Sequence, residues 1–252
     1  MRKLAGLICD EHPEFGGFVD LGSCGLHIVH NAFGKGLEKY GKDIDQLCLD
    51  LHSLFRHSAA RREDFKELQL SLDVEMQTFQ QHTEVRWLSI GPAIEIVLKQ
   101  WDAICEFIKL LGEDEKKAPK SVNYKRASAK LTGVEKDNTR VMLEFLKNIV
   151  PVFKGFLTQF QASGPTVHIL YDSKCQNLLK VLRRFMKPSS LDGKYGNELA
   201  NIPCSDVKLQ VSDCELSIGD QTRKAISKLK TEKQKLVFLG IRSHFVAVAS
   251  HL

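Results

Sequence analysis

Residues 20–33 read Asp20-Leu21-Gly22-Ser23-Cys24-Gly25-Leu26-His27-Ile28-Val29-His30-Asn31-Ala32-Phe33. A short apolar run, Phe15 to Val19, precedes them and suits one strand. After Ser23, a candidate N-cap, apolar positions recur at Leu26, Val29 (or His30) and Phe33, which is helical spacing. A strand therefore turns into a helix, and Cys24 and His27 fall three apart on its first turn, where side chains share a face.

Working outward, most of the chain repeats the helical period. Asp43 is placed to cap a helix whose inner stripe is Leu47, Leu51, Leu54 and Phe55, and Ser58 is placed to start a charged helix through Leu68. Gly34, Gly36 and Gly41 read as a loosened connection before them. One helix is expected from Ala93 to Leu111, ended by Gly112. The longest periodic run, Met142 to Phe160, contains Pro151, which predicts a kink. Another helix is expected over 167–186. A last one starts near Gly219-Asp220 and runs to the end through Ile226, Leu229, Leu236, Leu239 and Phe245. Between them, Val207 to Val211 alternates like a strand, although a helix entry fits nearly as well. The expected class is mainly α: an all-helical domain over 39–252, joined to a strand-helix element over 1–38. A basic loop is expected at 112–130 and a mobile loop at 188–205.

The 252 residues are 43% hydrophobic, enough for a real core. The net charge of +5 is unevenly placed. Lys116, Lys117, Lys120, Lys125, Arg126 and Lys130 follow one another without an acid between them. Such a cluster suits a phosphate-bearing partner, or a solvated helix face. Seven scattered cysteines and no CxxC pair fit a reduced, intracellular protein. No run reaches the ~18 apolar residues of a membrane span.

Cys24 and His27 are half of a zinc ligand set, but Cys204 and Cys214, ten apart, do not complete it. As a nucleophile pair they have no orienting acid in view. Packing of Cys24 and a backbone hydrogen bond from His27 is the favoured reading. Arg86-Trp87 pairs a phosphate-competent guanidinium with a flat ring, which suits an unstacked base; burial of the tryptophan in the core is the alternative.

Four stretches in order, Leu21–Phe33, Arg61-Arg62-Glu63-Asp64-Phe65, Thr83-Glu84-Val85-Arg86-Trp87-Leu88-Ser89 and Phe160–Tyr171, resemble the hAT superfamily of DNA transposases and host proteins derived from them. The resemblance implies a ribonuclease-H-like core interrupted by a helical insertion domain. Cys24 and His27 would be the motif at the core's strand-helix junction. Arg86 and Trp87 would be the insertion-domain motif near the flipped base at the transposon end. Three acids bind Mg²⁺ in that family, and this chain departs from its pattern. Met1 to Asp20 hold no Asp-Gly-Pro-Asn-like context, and the final glutamate, the dimerisation segment and the zinc-finger region are lacking. The expectation is a truncated, nuclear, transposase-derived fragment. It is not an enzyme, has no cofactor or metal, and binds DNA weakly and in a salt-dependent way through Arg86, Trp87 and the six bases. Two alternatives are an interaction module that takes a protein partner or self-associates, and a partial gene model of an active transposase.

Overall fold

The computed structural model describes residues 25–79, 87–113, 118–160 and 169–252. The expected strand at 15–19, Ser23, Cys24, Arg86, Lys116 and Lys117 lie outside them. The described chain is helical: α1 Gly25–Lys39, α2 Lys42–Arg56, α3 Ala59–Ser71, α4 Ile90–Lys99, α5 Trp101–Glu113, α6 Val122–Leu131, α7 Lys136–Phe160, α8 Leu170–Leu182, α9 Asn197–Ala200, α10 Asp220–Ser227 and α11 Thr231–Ala249. Two 3₁₀ turns matter below, η1 Trp87–Ser89 before α4 and η2 Gly133–Glu135 before α7. The only extended pairing among the described residues is one antiparallel bridge, Met186 to Gln210.

Helix α7 is the spine, packed against α1, α4, α6, α8 and α10. Val141, Leu143, Phe145, Leu146, Ile149 and Phe153 on it are essentially inaccessible. Each such side chain contributes about 1.5–3 kcal/mol of burial. The helix continues through Pro151 without interruption. Its missing N–H leaves one rung of the ladder unmade.

The inner stripes of α2 and α7 fall where the periodicity places them, with Leu47, Leu51, Leu54, Phe55, Phe145 and Phe153 buried. Ser58 caps α3 as expected, its hydroxyl accepting from the Arg61 N–H at 3.3 Å. Arg61 and Arg62 then reach back: their Nη1 atoms donate to the carbonyls of Leu54 and Phe55 at 2.9 Å each. Those carbonyls belong to the last turn of α2, so the two arginines lock the α2–α3 corner.

Several expectations are corrected. Gly34 and Gly36 are not a connection, because α1 runs through both to Lys39; only Gly41, with φ 125°, breaks the path. Helix α2 begins at Lys42, so Asp43 lies in its first turn and does not cap it. The helix expected over 93–111 is two, divided at Gln100. Gln100 is buried; its Nε2 donates to the Glu75 carbonyl at 2.6 Å and its Oε1 accepts from Gln69 at 2.8 Å. Those two bonds tie the extended segment after α3 into the core. Gly112 belongs to the last turn of α5, where the Tyr124 hydroxyl approaches closely and donates to the Ile108 carbonyl. Helix α8 stops at Leu182, short of Met186.

The segment 188–205, expected to be mobile, is anchored. It buries Leu191, Leu199, Ile202 and Cys204 and includes α9. Val207–Leu209 is a 3₁₀ turn leading into the Met186 bridge, not a strand. The final helix is two, α10 and α11, and Leu236 and Leu239 point outward, with Val237, Ile241, His244, Phe245 and Val248 inside. No packing boundary falls at residues 38–39: Val29, Ala32, Phe33 and Leu37 of α1 belong to the same core as α7 and α11.

The α1–α11 contact is close because each helix offers a glycine. Beside Gly36 lie the His244 ring and Val248, and beside Gly240 lies the Tyr40 ring. His244 Nδ1 stands 3.1 Å from the Tyr40 carbonyl and clasps the two helices at that level.

Candidate nucleic-acid interface

The basic segment becomes helix rather than loop from Val122, with Ser121 as its cap, accepting from the Tyr124 N–H. Tyr124, Ala127 and Leu131 turn inward, which sets Lys125, Arg126 and Lys130 toward the outer side of α6.

Two of these bases already have partners. Arg126 forms a two-pronged pair with Asp50 on α2, Nε to Oδ2 at 2.8 Å and Nη2 to Oδ1 at 2.6 Å. Asp50 is 2% exposed and also accepts from Gln46 at 3.0 Å. Donating to the Asp50 carboxylate raises the Arg126 pKa above its ordinary value. Asn123 adds a third link, donating to Ser53 at 2.8 Å. Lys130 pairs with Asp43 at 2.5 Å. Lys120 and Lys125 remain exposed, with no ion pair among the described residues. Among the described residues, the cluster is therefore partly a hinge pin between α2 and α6, and partly two exposed cations without an ion pair.

Asp50→Ala tests the structural half. Removing one partner of a buried pair costs about 3–5 kcal/mol. Arg126 is 46% exposed and can be rehydrated, which lowers the expected loss to about 2 kcal/mol. Chemical denaturation measures it. In an Asp50→Ala background, Arg126→Ala should add little, and full additivity of the two losses would refute the coupling.

Trp87 opens η1, which packs against α1 and α7. Helix α6 packs against α2, α5 and α7. The two halves of the expected interface thus share α7 but otherwise stand on different neighbours. His27 is exposed on the first turn of α1. Among the described residues, no group of three or more His, Cys, Asp or Glu side chains could hold a metal ion. The described cysteines are all free, and burial pushes the Cys48 thiol up to about 12. No described helix is long and apolar enough to cross a membrane.

Sequence reasoning found the bases of α6 but missed their acids. Asp43 and Asp50 lie in an ordinary amphipathic helix far upstream, and their spacing carries no signal of the pairing. Comparison with protein-family models, with curated proteins and with solved structures returned no match to this chain.

Proposed function

We propose that this is a transposase-derived protein that binds nucleic acid without cleaving it, holding phosphates with Lys120 and Lys125. The observation that carries the reading is the pair of exposed lysines at the start of α6, without an ion pair among the described residues, beside a helix that Asp50 holds in place. Asp43 and Asp50 serve as ion-pair partners of Lys130 and Arg126, which suits a binding role. The order of the four motifs supports descent from the hAT superfamily, and Trp87 is the residue proposed to meet an unstacked base.

The test is binding of the chain to hairpin-ended and plain duplex DNA across a salt series. Lys120→Gln with Lys125→Gln is expected to lower the slope of log K against log salt by about 2, near 0.9 per phosphate contact. Trp87→Ala is expected to remove preference for the hairpin and leave the slope intact. No binding at low salt, or an unchanged slope in the double variant, would refute it.

A second reading, an interaction module, has its own observation. Leu236 and Leu239 on the outer face of α11 are 68% and 63% exposed. One turn apart, they form an apolar ridge on the outer face of the helix. Sedimentation should show concentration-dependent association that Leu236→Glu abolishes; a monomer at all concentrations counts against self-association.

A further inference from the structure

A cavity of about 210 Å³ lies between the second half of α2, helix α3 and the extended residues 77–79. Its floor is phenylalanine. Phe55 and Phe79 are stacked at 4.6 Å with 17° between ring planes, and Phe65 stands 4.9 Å from Phe55 and 5.8 Å from Phe79. Phe107 backs the set from α5, stacked on Phe55 at 5.5 Å. Phe55 and Phe65 are buried, whereas Phe79 is half-buried and forms the accessible wall.

The rim has the opposite character. His52, Arg56, Arg62 and Lys66 line it, and among the described residues no carboxylate does. Burial first, then Arg56 and His57, hold the His52 imidazole below its usual pKa, so the charge at the rim comes from the other three. Lys66 is shared with Glu63 at 2.8 Å, just outside. Arg62 spends Nη1 on the carbonyls of Phe55 and Arg56, which fixes its guanidinium in place. Arg56 is exposed and has no ion pair among the described residues.

An apolar floor of aromatic rings favours a flat ring, which can stack on Phe79 from the cavity side. A rim of cations favours an anion attached to that ring, and guanidinium favours phosphate in particular. The volume is below the ~300–1,000 Å³ of a drug-sized site, so it suits one ring system with its charged group left at the mouth. On the same edge as Phe79, Thr78 offers a hydroxyl to a polar ring edge, and Gln77, whose Nε2 donates to Glu75 at 3.1 Å, offers its amide oxygen.

We propose that this cleft binds a planar aromatic ring carrying a phosphate, that is, a nucleotide, either free or unpaired at the end of a strand. Phe79 stacks the ring and Arg56, assisted by Arg62, holds the phosphate. This does not rest on the function proposed above, which depends on Lys120, Lys125 and Trp87 and can fail separately.

The experiment is calorimetric titration of the whole chain with AMP, with inorganic phosphate, with ribose 5-phosphate, and with blunt and 3′-overhanging duplexes. AMP, or the overhanging duplex over the blunt one, is expected to bind more tightly than phosphate or ribose 5-phosphate. The first result identifies a free nucleotide and the second a strand end. Phe79→Ala should weaken the preferred ligand by ~10-fold, as loss of one base-aromatic stack does. Arg56→Gln should weaken it by ~10-fold and flatten its salt dependence, with an unchanged melting temperature, because its side chain lies outside the core. If Phe79→Ala does not fold, Arg56→Gln decides. The proposal is overturned if neither AMP nor the overhang is preferred over its control, or if Arg56→Gln binds as tightly as the parent chain.

Discussion

Gly36→Val is expected to destabilise the fold by about 3 kcal/mol or more, the upper end of overpacking costs. A Cβ at position 36 would lie 2.6 Å from Val248 Cγ2 and 2.7 Å from His244 Cε1. Neither neighbour can yield cheaply. Val248 is completely buried, and the His244 ring is fixed by its bond to the Tyr40 carbonyl and enclosed by Phe33, Phe145 and Phe245. An alanine already brings the clash, set against the ~1 kcal/mol it gains over glycine in helix propensity. Thermal melts of the parent, Gly36→Ala and Gly36→Val should fall in that order. A Gly36→Val protein that melts with the parent would mean that α1 and α11 are not packed in this way.

The second large effect is on pH dependence. His244 is fully buried with Nε2 unpartnered, and burial pushes its pKa down to about 4 from 6.5, against the raising influence of the Tyr40 and Gly36 backbone. The folded state thus resists a proton that the unfolded chain accepts below 6.5. Stability from this group is complete above pH 6.5 and is lost as pH falls toward 4. The loss approaches about 3 kcal/mol at 1.36 kcal/mol per pKa unit. Carboxylates contribute mainly below pH 4.5, so the limb from 6.5 to 4.5 belongs to histidine. His52, also lowered but much less buried, contributes a smaller part. Urea midpoints measured from pH 7.5 to 4.5 should drop along this limb, and His244→Leu should flatten it. An equal drop in His244→Leu would assign the effect elsewhere.

Where one face of a helix is clearly apolar, the sequence was sufficient. Helices α2 and α7 bury the residues their period names, and Ser58 caps where its hydroxyl and position require. Helix α11 was read as one with α10, and Leu236, Phe238, Leu239 and Val246 spread apolar residues around its circumference, so its period has no unique phase. Glycines 34 and 36 look like breakers because glycine is costly in an isolated helix. Here a close neighbour makes the missing side chain useful, and only that neighbour reveals it. The bases of α6 were equally plain, but Asp50 and Asp43 stand 76 and 87 residues away in sequence from Arg126 and Lys130. A pairing at that separation is written in the fold and not in local spacing. The aromatic cleft was invisible for the same reason, since Phe55, Phe65, Phe79 and Phe107 come from four separate segments.

The clasp between His244 and Tyr40 joins residues 204 apart. During synthesis, α1 therefore leaves the ribosome long before α11 exists, and while Phe33 can meet Phe153 of α7, the face at Gly36 that takes His244 and Val248 has to wait uncovered. Closure of the bundle is a late event, set by the arrival of α11. Nascent chains stalled before residue 231 should be bound by chaperones at α1 and released once α11 emerges.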